Sequence, residues 1–378
     1  MPYWRLSGFY FVYFATIGAL IPYWSIYLKD LGFNAAEIGE LVAIIMATKL
    51  VAPNLWGWIA DHTNQGMRII RLTSLLAAIS FAGVFFTESY LWLAVVMVTF
   101  SFFWNAALPQ FEVTTMNHLG ESTHRYSSIR LWGSIGFVVT VAMIGPMLDV
   151  YGVRLLLPVS LLLFFLIWVF SLLVPEGRQP QSHANNNERF HWVLRKPEVL
   201  ALLLICFLMQ MSHGPYYTFF SIYMEEHGYS HTAIGQLWAL GVIAEVIVFM
   251  VMHRWIPRFG ARYLMIASLL LTTLRWLLTA FFPDYVAVII FSQTLHAASF
   301  GIYHAVAIDL IHKMFVGRLQ GRGQALYSSV SFGAGGAIGS LLSGYLWSGI
   351  GAQWMYVLAA LTSGIAVMVA MWGLKPSQ

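Results

Sequence analysis

One cysteine, Cys206, stands in the whole chain, so neither an intrachain disulfide nor a cysteine metal cage can be built from it. Charge is almost as scarce. Lys, Arg, Asp and Glu make up 10% of the 378 residues and apolar types 59%, and a chain with so little polar surface cannot coat a soluble globule. Enzyme marks are missing too: there is no H-E-x-x-H and no G-x-S-x-G, and the 12 histidines are scattered without metal-ligand spacing. No metal, cofactor or catalytic group is therefore expected. The first apolar run has only Arg5 ahead of it, is too long for a signal-peptide core and lacks a small-residue cleavage site, so it reads as a retained span.

What the chain has instead is apolar length. Runs of about twenty residues, enough for a helix to cross roughly 30 Å of hydrocarbon, recur at 6–28, 37–60, 68–87, 91–116, 127–148, 153–174, 199–224, 232–253, 262–281, 285–312, 322–347 and 352–374. The pattern predicts an all-α integral membrane protein with twelve transmembrane helices. Of the 20 lysines and arginines, three fall deep within spans, Lys29 and Arg154 lie in gaps on one side, and the remaining fifteen collect on the other. Basic loops stay in the cytoplasm, which predicts that both termini are cytoplasmic. The net charge of +4 then follows from topology and gives no reason to invoke nucleic acid.

The one long polar stretch, PEGRQPQSHANNNERFHWVLRKPE at 175–198, reads as a cytoplasmic linker between halves 1–174 and 199–378, each with six spans. The halves repeat: SIYLKDLGFNAAEIGEL from Ser25 and SIYMEEHGYSHTAIGQL from Ser221 share Ser, Ile, Tyr, Gly, Ile, Gly and Leu in one register. A second pair is YSSIRLWGS from Tyr126 and YSSVSFGAGG from Tyr327, with Ser331 where Arg130 stands. An even number of crossings keeps the repeats parallel, as in transporters whose two bundles alternately expose a midplane site. The GWIAD run, Gly57 to Asp61, closes the second span. Together with the twelve-helix plan it resembles the G-x-x-x-D loop motif of the major facilitator superfamily, although His62 replaces the usual basic residue and the second copy, HRWIPRFGAR from His253, lacks the acid.

A charge at the centre of a membrane helix costs about 2.5–3.5 kcal/mol even on the cheapest insertion scale, and five lie deep here: Lys49, Glu112, Arg130, Glu245 and Arg275. Asp309, nearer the end of its span, reads as snorkelling to the interface. Three cations against two carboxylates leave one positive charge for an anionic substrate to match; counting Asp309 as deep cancels that excess. Helical spacing puts Asn105, Pro109 and Glu112 on one stripe and Arg130, Ser134 and Phe137 on another. The plainer alternative is a Glu112–Arg130 pair that only pins two helices, yet desolvation offsets most of the attraction in a buried pair. Arg130 presents a planar fork suited to a carboxylate, and Lys49 offers a second contact. Phe137, Tyr216, Tyr217 and Tyr303 lie on polar stripes where a ring meets a ligand. Proton coupling needs a group that changes charge, which arginine cannot do; Glu245 is the first candidate and Glu112 the second. Arg275, His213 and His296 then tune or relay the proton. His304 is a weaker candidate.

Glu112 and Arg130, with Phe137 two turns on, resemble the sugar-binding pair of lactose permease, and Arg275 with the Thr-Leu-His ending at His296 resembles that permease's proton-coupling cluster, except that Ser299 stands where a carboxylate belongs. Over nearly the whole chain, PYWSIYLK (22–29), IRLWGS (129–134), SHGPYY (212–217), LWALGVIAEVI (237–247), LRW (274–276) and LYSSV (326–330) resemble the phenylpropionate permease family, itself similar to the lactose permease (oligosaccharide:proton symporter) group. The resemblance implies a monomer in the bacterial inner membrane that imports a small organic anion, an aromatic acid such as 3-phenylpropionate, with protons. A sugar or nucleoside symporter using the same pair for hydroxyls stays open at this point, as do a drug exporter and a membrane protein without transport activity.

Overall fold

The structure is a computed structural model that describes residues 2–120, 122, 125–176, 190–317 and 319–375. Each apolar run forms a helix, because in hydrocarbon the backbone groups must be satisfied within the segment. In chain order the long helices are α1 (Tyr3–Asp30), α2 (Ala35–Thr63), α3 (Gly66–Phe85), α4 (Tyr90–Leu119), α5 (Tyr126–Tyr151), α6 (Val153–Leu173), α7 (Pro197–Glu226), α8 (His231–Phe259), α9 (Ala261–Phe281), α10 (Val286–Met314), α11 (Leu319–Ile350) and α12 (Ala352–Gly373). Eleven of these are long and apolar enough by themselves to cross a membrane. The other, α2, is 29 residues long and carries Glu37, Glu40 and Lys49. Leu91, Ile247 and Leu361 stay open on helix surfaces, as suits a protein whose solvent is lipid. Of the expected linker, residues 177–189 lie outside the described residues, as does Arg318.

Among the described residues, three helices are broken or carry a π-helical turn within the span. α7 is interrupted at His213, and its second part restarts at Gly214–Pro215, where proline at the first turn needs no N–H partner. α10 contains a π-helical turn at Ala297–Ile302 and α11 another at Ser329–Gly335. Two glycines mark equivalent corners in the repeats: Gly152 ends α5 at φ 83° and Gly351 ends α11 at φ 89°, in the left-handed region that glycine enters without penalty.

The fold divides into two compact units. One comprises Met1–Phe33, Ala47–His183 and Tyr229–Ala239; the other comprises Asn34–Met46, Ala184–Gly228 and Leu240–Gln378. α2 and α8 thus each contribute to both. In the first unit α1 packs on α5 and α6, and α3 on α4 and α6; in the second α9 packs on α12, and α12 on α7.

The repeated Ile-Gly of the two matching sequences explains how the exchanged segments are held. In the second unit a Cβ added to Gly39 would lie 2.8 Å from the Gly344 Cα and 2.9 Å from the Ser340 oxygen, and one on Gly344 would lie 2.5 Å from the Ala35 oxygen. In the first unit a Cβ on Gly235 would lie 2.5 Å from the Val141 oxygen, and one on Gly145 2.5 Å from the His231 oxygen. Both exchanged segments therefore approach a neighbouring helix backbone to backbone, which only glycine permits. Polar fastenings accompany them. Asp149 at the end of α5 accepts from the His231 and Thr232 amides (2.9 Å each), the His231 Nδ1 (2.9 Å) and the Thr232 hydroxyl (2.6 Å), capping the otherwise unpaired N–H groups at the start of α8. In the second unit the Tyr345 hydroxyl donates to Glu40 at 2.5 Å.

The core of the second unit is built from Ile205, Cys206, Met209, Leu269, Tyr303, Val306 and Ala366, among others. Cys206 is completely buried there.

Candidate functional site

Each unit holds one cluster of deep polar groups. In the first, Glu112 on α4 and Arg130 on α5 approach to 3.9 Å, with their side chains 35% and 31% exposed. The pair is loose. The Arg130 guanidinium lies 3.9 Å over the centre of the Phe14 ring and 5.6 Å from that of Tyr10, both on α1. Beyond this loose ion pair it makes no hydrogen bond to a described residue, so its terminal nitrogens are oriented mainly by ring faces. Gly133 makes this possible: a Cβ there would fall 2.9 Å from an Arg130 terminal nitrogen and 2.8 Å from Phe14. Tyr126 donates to Glu112 at 3.4 Å, and Tyr10 to Thr115 at 3.3 Å.

The other expected members of this cluster are placed differently. Phe137 is only 7% exposed and its backbone is packed on Gly18 of α1, so the ring beside the arginine is Phe14 instead. Asn105 is drawn to α2, donating to Thr48 at 2.9 Å, and Thr48 in turn donates to Ser101 at 2.9 Å. Lys49 is half-buried next to Thr48. Gly57 lies late in α2, where a Cβ would stand 3.2 Å from the Gln110 amide nitrogen; the side chain of Asp61 lies outside what is described.

In the second unit Arg275 on α9 is completely buried. Its guanidinium donates to Ser299 (2.8 Å), to Gln293 (3.1 Å) and to His296 Nδ1 (3.0 Å), and it lies over Tyr216 (4.2 Å) and Trp276 (4.7 Å). Arginine has no acceptor, so His296 must accept at Nδ1 and carry its proton on Nε2. That Nε2 points to Glu245 of α8 at 3.5 Å. The order is therefore Arg275, His296, Glu245: a neutral imidazole of fixed tautomer joins a permanent cation to a carboxylate. Ser299 takes only the place of a hydrogen-bond acceptor, and the negative charge comes from the neighbouring helix. Tyr216 donates to Gln293 at 3.1 Å, which aligns the same oxygen that receives Arg275.

His213 stands apart from this chain of bonds. Its Nδ1 lies 2.8 Å from the Met209 carbonyl and therefore bears the proton, while its buried Nε2 meets no hydrogen-bond partner among the described residues. It touches Trp276 edge-on at 4.9 Å and Tyr217 at 5.8 Å. Tyr303 is 0% exposed in the apolar core, with its hydroxyl directed to the Cys206 carbonyl; its ring is closed off on all sides. Asp309 pairs with Lys313 at 2.7 Å one turn on, which removes it from the deep charges. Ser331, the counterpart of Arg130, is buried and donates to the Tyr327 carbonyl at 2.6 Å.

Tyr10, Phe14, Tyr126 and Gln293 escaped the sequence reading. For Tyr126 a signal existed. It opens one copy of the repeated Tyr-Ser-Ser, and Tyr327 opens the other; the first bonds Glu112 of α4 and the second lies 2.8 Å from His304 Nδ1 of α10. The repeat preserves a tyrosine that holds an ionisable neighbour.

Each unit thus carries charged groups on membrane-length helices, backed by aromatic rings. The chain belongs to the MFS_1-like family of the major facilitator superfamily, whose pattern it matches over residues 3–358. It is 31% identical over 379 residues to the "Probable 3-phenylpropionic acid transporter" of Escherichia coli (strain K12), covering 95% of both chains. To the "Maltose permease" of Geobacillus stearothermophilus it is 26% identical, over 96% of this chain and 93% of that one. Among solved structures, the nucleoside transporter NupG superposes with a TM-score of 0.85 at 16% identity, covering 98% of this chain and 98% of that one. The protein is thus a multi-pass transporter with the twelve-helix major facilitator fold.

Proposed function

We propose that this transporter imports a small organic anion, an aromatic acid of the 3-phenylpropionate kind, together with a proton, by alternating access across the bacterial inner membrane, as a monomer with both termini in the cytoplasm. The observation that carries the reading is Arg130, a half-buried guanidinium held over Phe14, in a loose 3.9 Å ion pair with Glu112 and without a hydrogen bond to a described residue. A carboxylate is the ligand that matches two parallel N–H groups. The name of the 31%-identical relative agrees with it. Lys49 supplies a second positive charge. For the proton, Glu245 is the group able to change charge, because Arg275 is permanently charged and holds His296 neutral by occupying its Nδ1. Adding a proton to Glu245 takes the Arg275–His296–Glu245 cluster from neutral to net positive, a state that favours an incoming anion.

The test is uptake of labelled 3-phenylpropionate into proteoliposomes with an imposed pH gradient. Uptake should follow the gradient, Arg130→Ala should abolish saturable uptake, and Arg130→Lys should retain a weakened form; gradient-independent uptake, or unchanged affinity in Arg130→Ala, refutes the reading. A neutral sugar or nucleoside is the second reading, favoured by the names of the maltose permease and of NupG. Competition by maltose or uridine but not by phenylpropionate would establish it instead.

A further inference from the structure

Within the first unit, two groups of α5 reach for one atom of α4. Arg130 Nε lies 3.9 Å from Glu112 Oε1, and the Tyr126 hydroxyl donates to that same Oε1 at 3.4 Å. Neither contact is closed, since charge-assisted bonds settle at about 2.7–2.9 Å from a nitrogen and about 2.5–2.7 Å from a hydroxyl. Tyr126 and Arg130 stand four residues apart, so they share a face of α5 and converge on Glu112 together. The carboxylate is divided between two donors and committed to neither.

The partners differ in what else holds them. The guanidinium rests on the Phe14 ring at 3.9 Å and keeps its place without Glu112. Glu112 has no such second support: among the described residues Arg130 and Tyr126 are its partners, and the Tyr10 hydroxyl nearby is turned to Thr115 at 3.3 Å. A substrate carboxylate that neutralises Arg130 therefore takes away the counter-charge of Glu112. An ionised carboxylate inside a membrane span that loses its cation must be hydrogen-bonded or its burial becomes costly. Tyr126 already points at the right oxygen, and closing its 3.4 Å contact by about 0.7 Å gives a strong O–H···O⁻ bond.

The internal repeat supplies a comparison within the same chain. In the second copy Ser331 stands in the place of Arg130, and Tyr327, only 1% exposed, is bonded to His304 Nδ1 at 2.8 Å. With no arginine beside it, the tyrosine closes on its neighbour. In the first copy, where an arginine shares the neighbour, the tyrosine is half-buried and stands off at 3.4 Å.

We infer that Tyr126 is a positioning residue for anion binding: its hydroxyl takes over the Glu112 carboxylate when Arg130 turns to the carboxylate of the substrate. The inference rests on the function proposed above and explains how one arginine serves two carboxylates in turn. Tyr126 acts through Glu112 and needs no contact with substrate.

The experiment is equilibrium binding of labelled 3-phenylpropionate, at fixed pH and salt, to the full-length protein in nanodiscs, for wild type, Tyr126→Phe, Glu112→Gln and the double variant. Phenylalanine keeps the ring and removes the hydroxyl alone. Tyr126→Phe should bind about tenfold more weakly than wild type, the scale of one hydrogen bond to a charged group. In the Glu112→Gln background, where no carboxylate has to be taken over, the same substitution should change affinity by less than about twofold. A tyrosine that only packs the start of α5 would weaken both backgrounds alike, so an equal loss in both overturns the inference, as does a Tyr126→Phe variant that binds as well as wild type; in either case the proposed function stands. If wild type does not bind 3-phenylpropionate at all, the proposed function and the inference fall together.

Discussion

Glu112→Gln distinguishes an anionic substrate from a neutral one by the sign of its effect. Glu112 lies 3.9 Å from Arg130, so a carboxylate received by Arg130 stands within a few ångströms of a second negative charge. Two unit charges about 4 Å apart interact by about 4 kcal/mol at an effective dielectric of about 20. Both side chains are about a third exposed, and screening reduces that figure; about 1–2 kcal/mol is a reasonable remainder, or roughly a five- to thirtyfold change in affinity. Replacing Glu112 by glutamine removes the repulsion and also releases Arg130 from its partner, so an anion should bind more tightly. A neutral sugar or nucleoside would lose a charge-assisted hydrogen bond, worth about 1.5–3 kcal/mol, and bind more weakly. The assay is the dissociation constant of purified wild type and Glu112→Gln for 3-phenylpropionate at fixed pH and salt. Weakened phenylpropionate binding in a folded variant would refute the assignment of Arg130 as the carboxylate receptor with Glu112 as its competitor.

The coupling scheme predicts that Glu245→Gln loses accumulation against a gradient but retains exchange of labelled for unlabelled substrate, measured by counterflow; loss of both, or retention of both, contradicts it. Packing predictions concern melting temperature. Gly145→Ala places a methyl 2.5 Å from the His231 oxygen and should destabilise by about 1–3 kcal/mol, whereas Gly364→Ala on α12, with nothing within 4 Å, should be neutral or stabilising by up to about 1 kcal/mol; equal effects would show that the close approach is not tight. Asp149→Ala removes the acceptor at the start of α8 and should cost about 0.5–2 kcal/mol, an effect that thermal unfolding at low salt would detect and that Asp149→Asn should partly restore.

What could be read in the sequence was whatever has a period or a rarity. Span length and the two repeats are periodic, so the helices and their parallel pairing appear directly. Glu112, Arg130, Glu245 and Arg275 are rare in apolar surroundings, and the structure joins the first two in one cluster and the last two in another through His296. Rings carry no such signal. With 27 phenylalanines and 18 tyrosines, nothing marks Phe14 as the platform under Arg130 or Tyr303 as a core residue; only the approach of α1 to α5 decides the first, and the core around Cys206 the second. Gln293 was invisible because a neutral amide carries no charge to mark it, and only the fold brings its oxygen to Tyr216 and Arg275. The π-helical turns have no local signature, since an extra residue per turn is settled by tertiary packing. The glycine shared by the two repeats was visible in the alignment of the halves, but its reason, backbone contact with a neighbouring helix, belongs to the three-dimensional structure.

The burial of Cys206 makes this chain convenient to label. A lone thiol shut inside the core of one unit is out of reach of maleimide or nitroxide reagents, so the native chain is a ready-made blank for site-directed probes. Pairs of cysteines engineered on surface positions of the two units would report distances by electron-electron resonance without first stripping the protein of its own thiol, and the conformations visited during turnover become measurable in otherwise unaltered material.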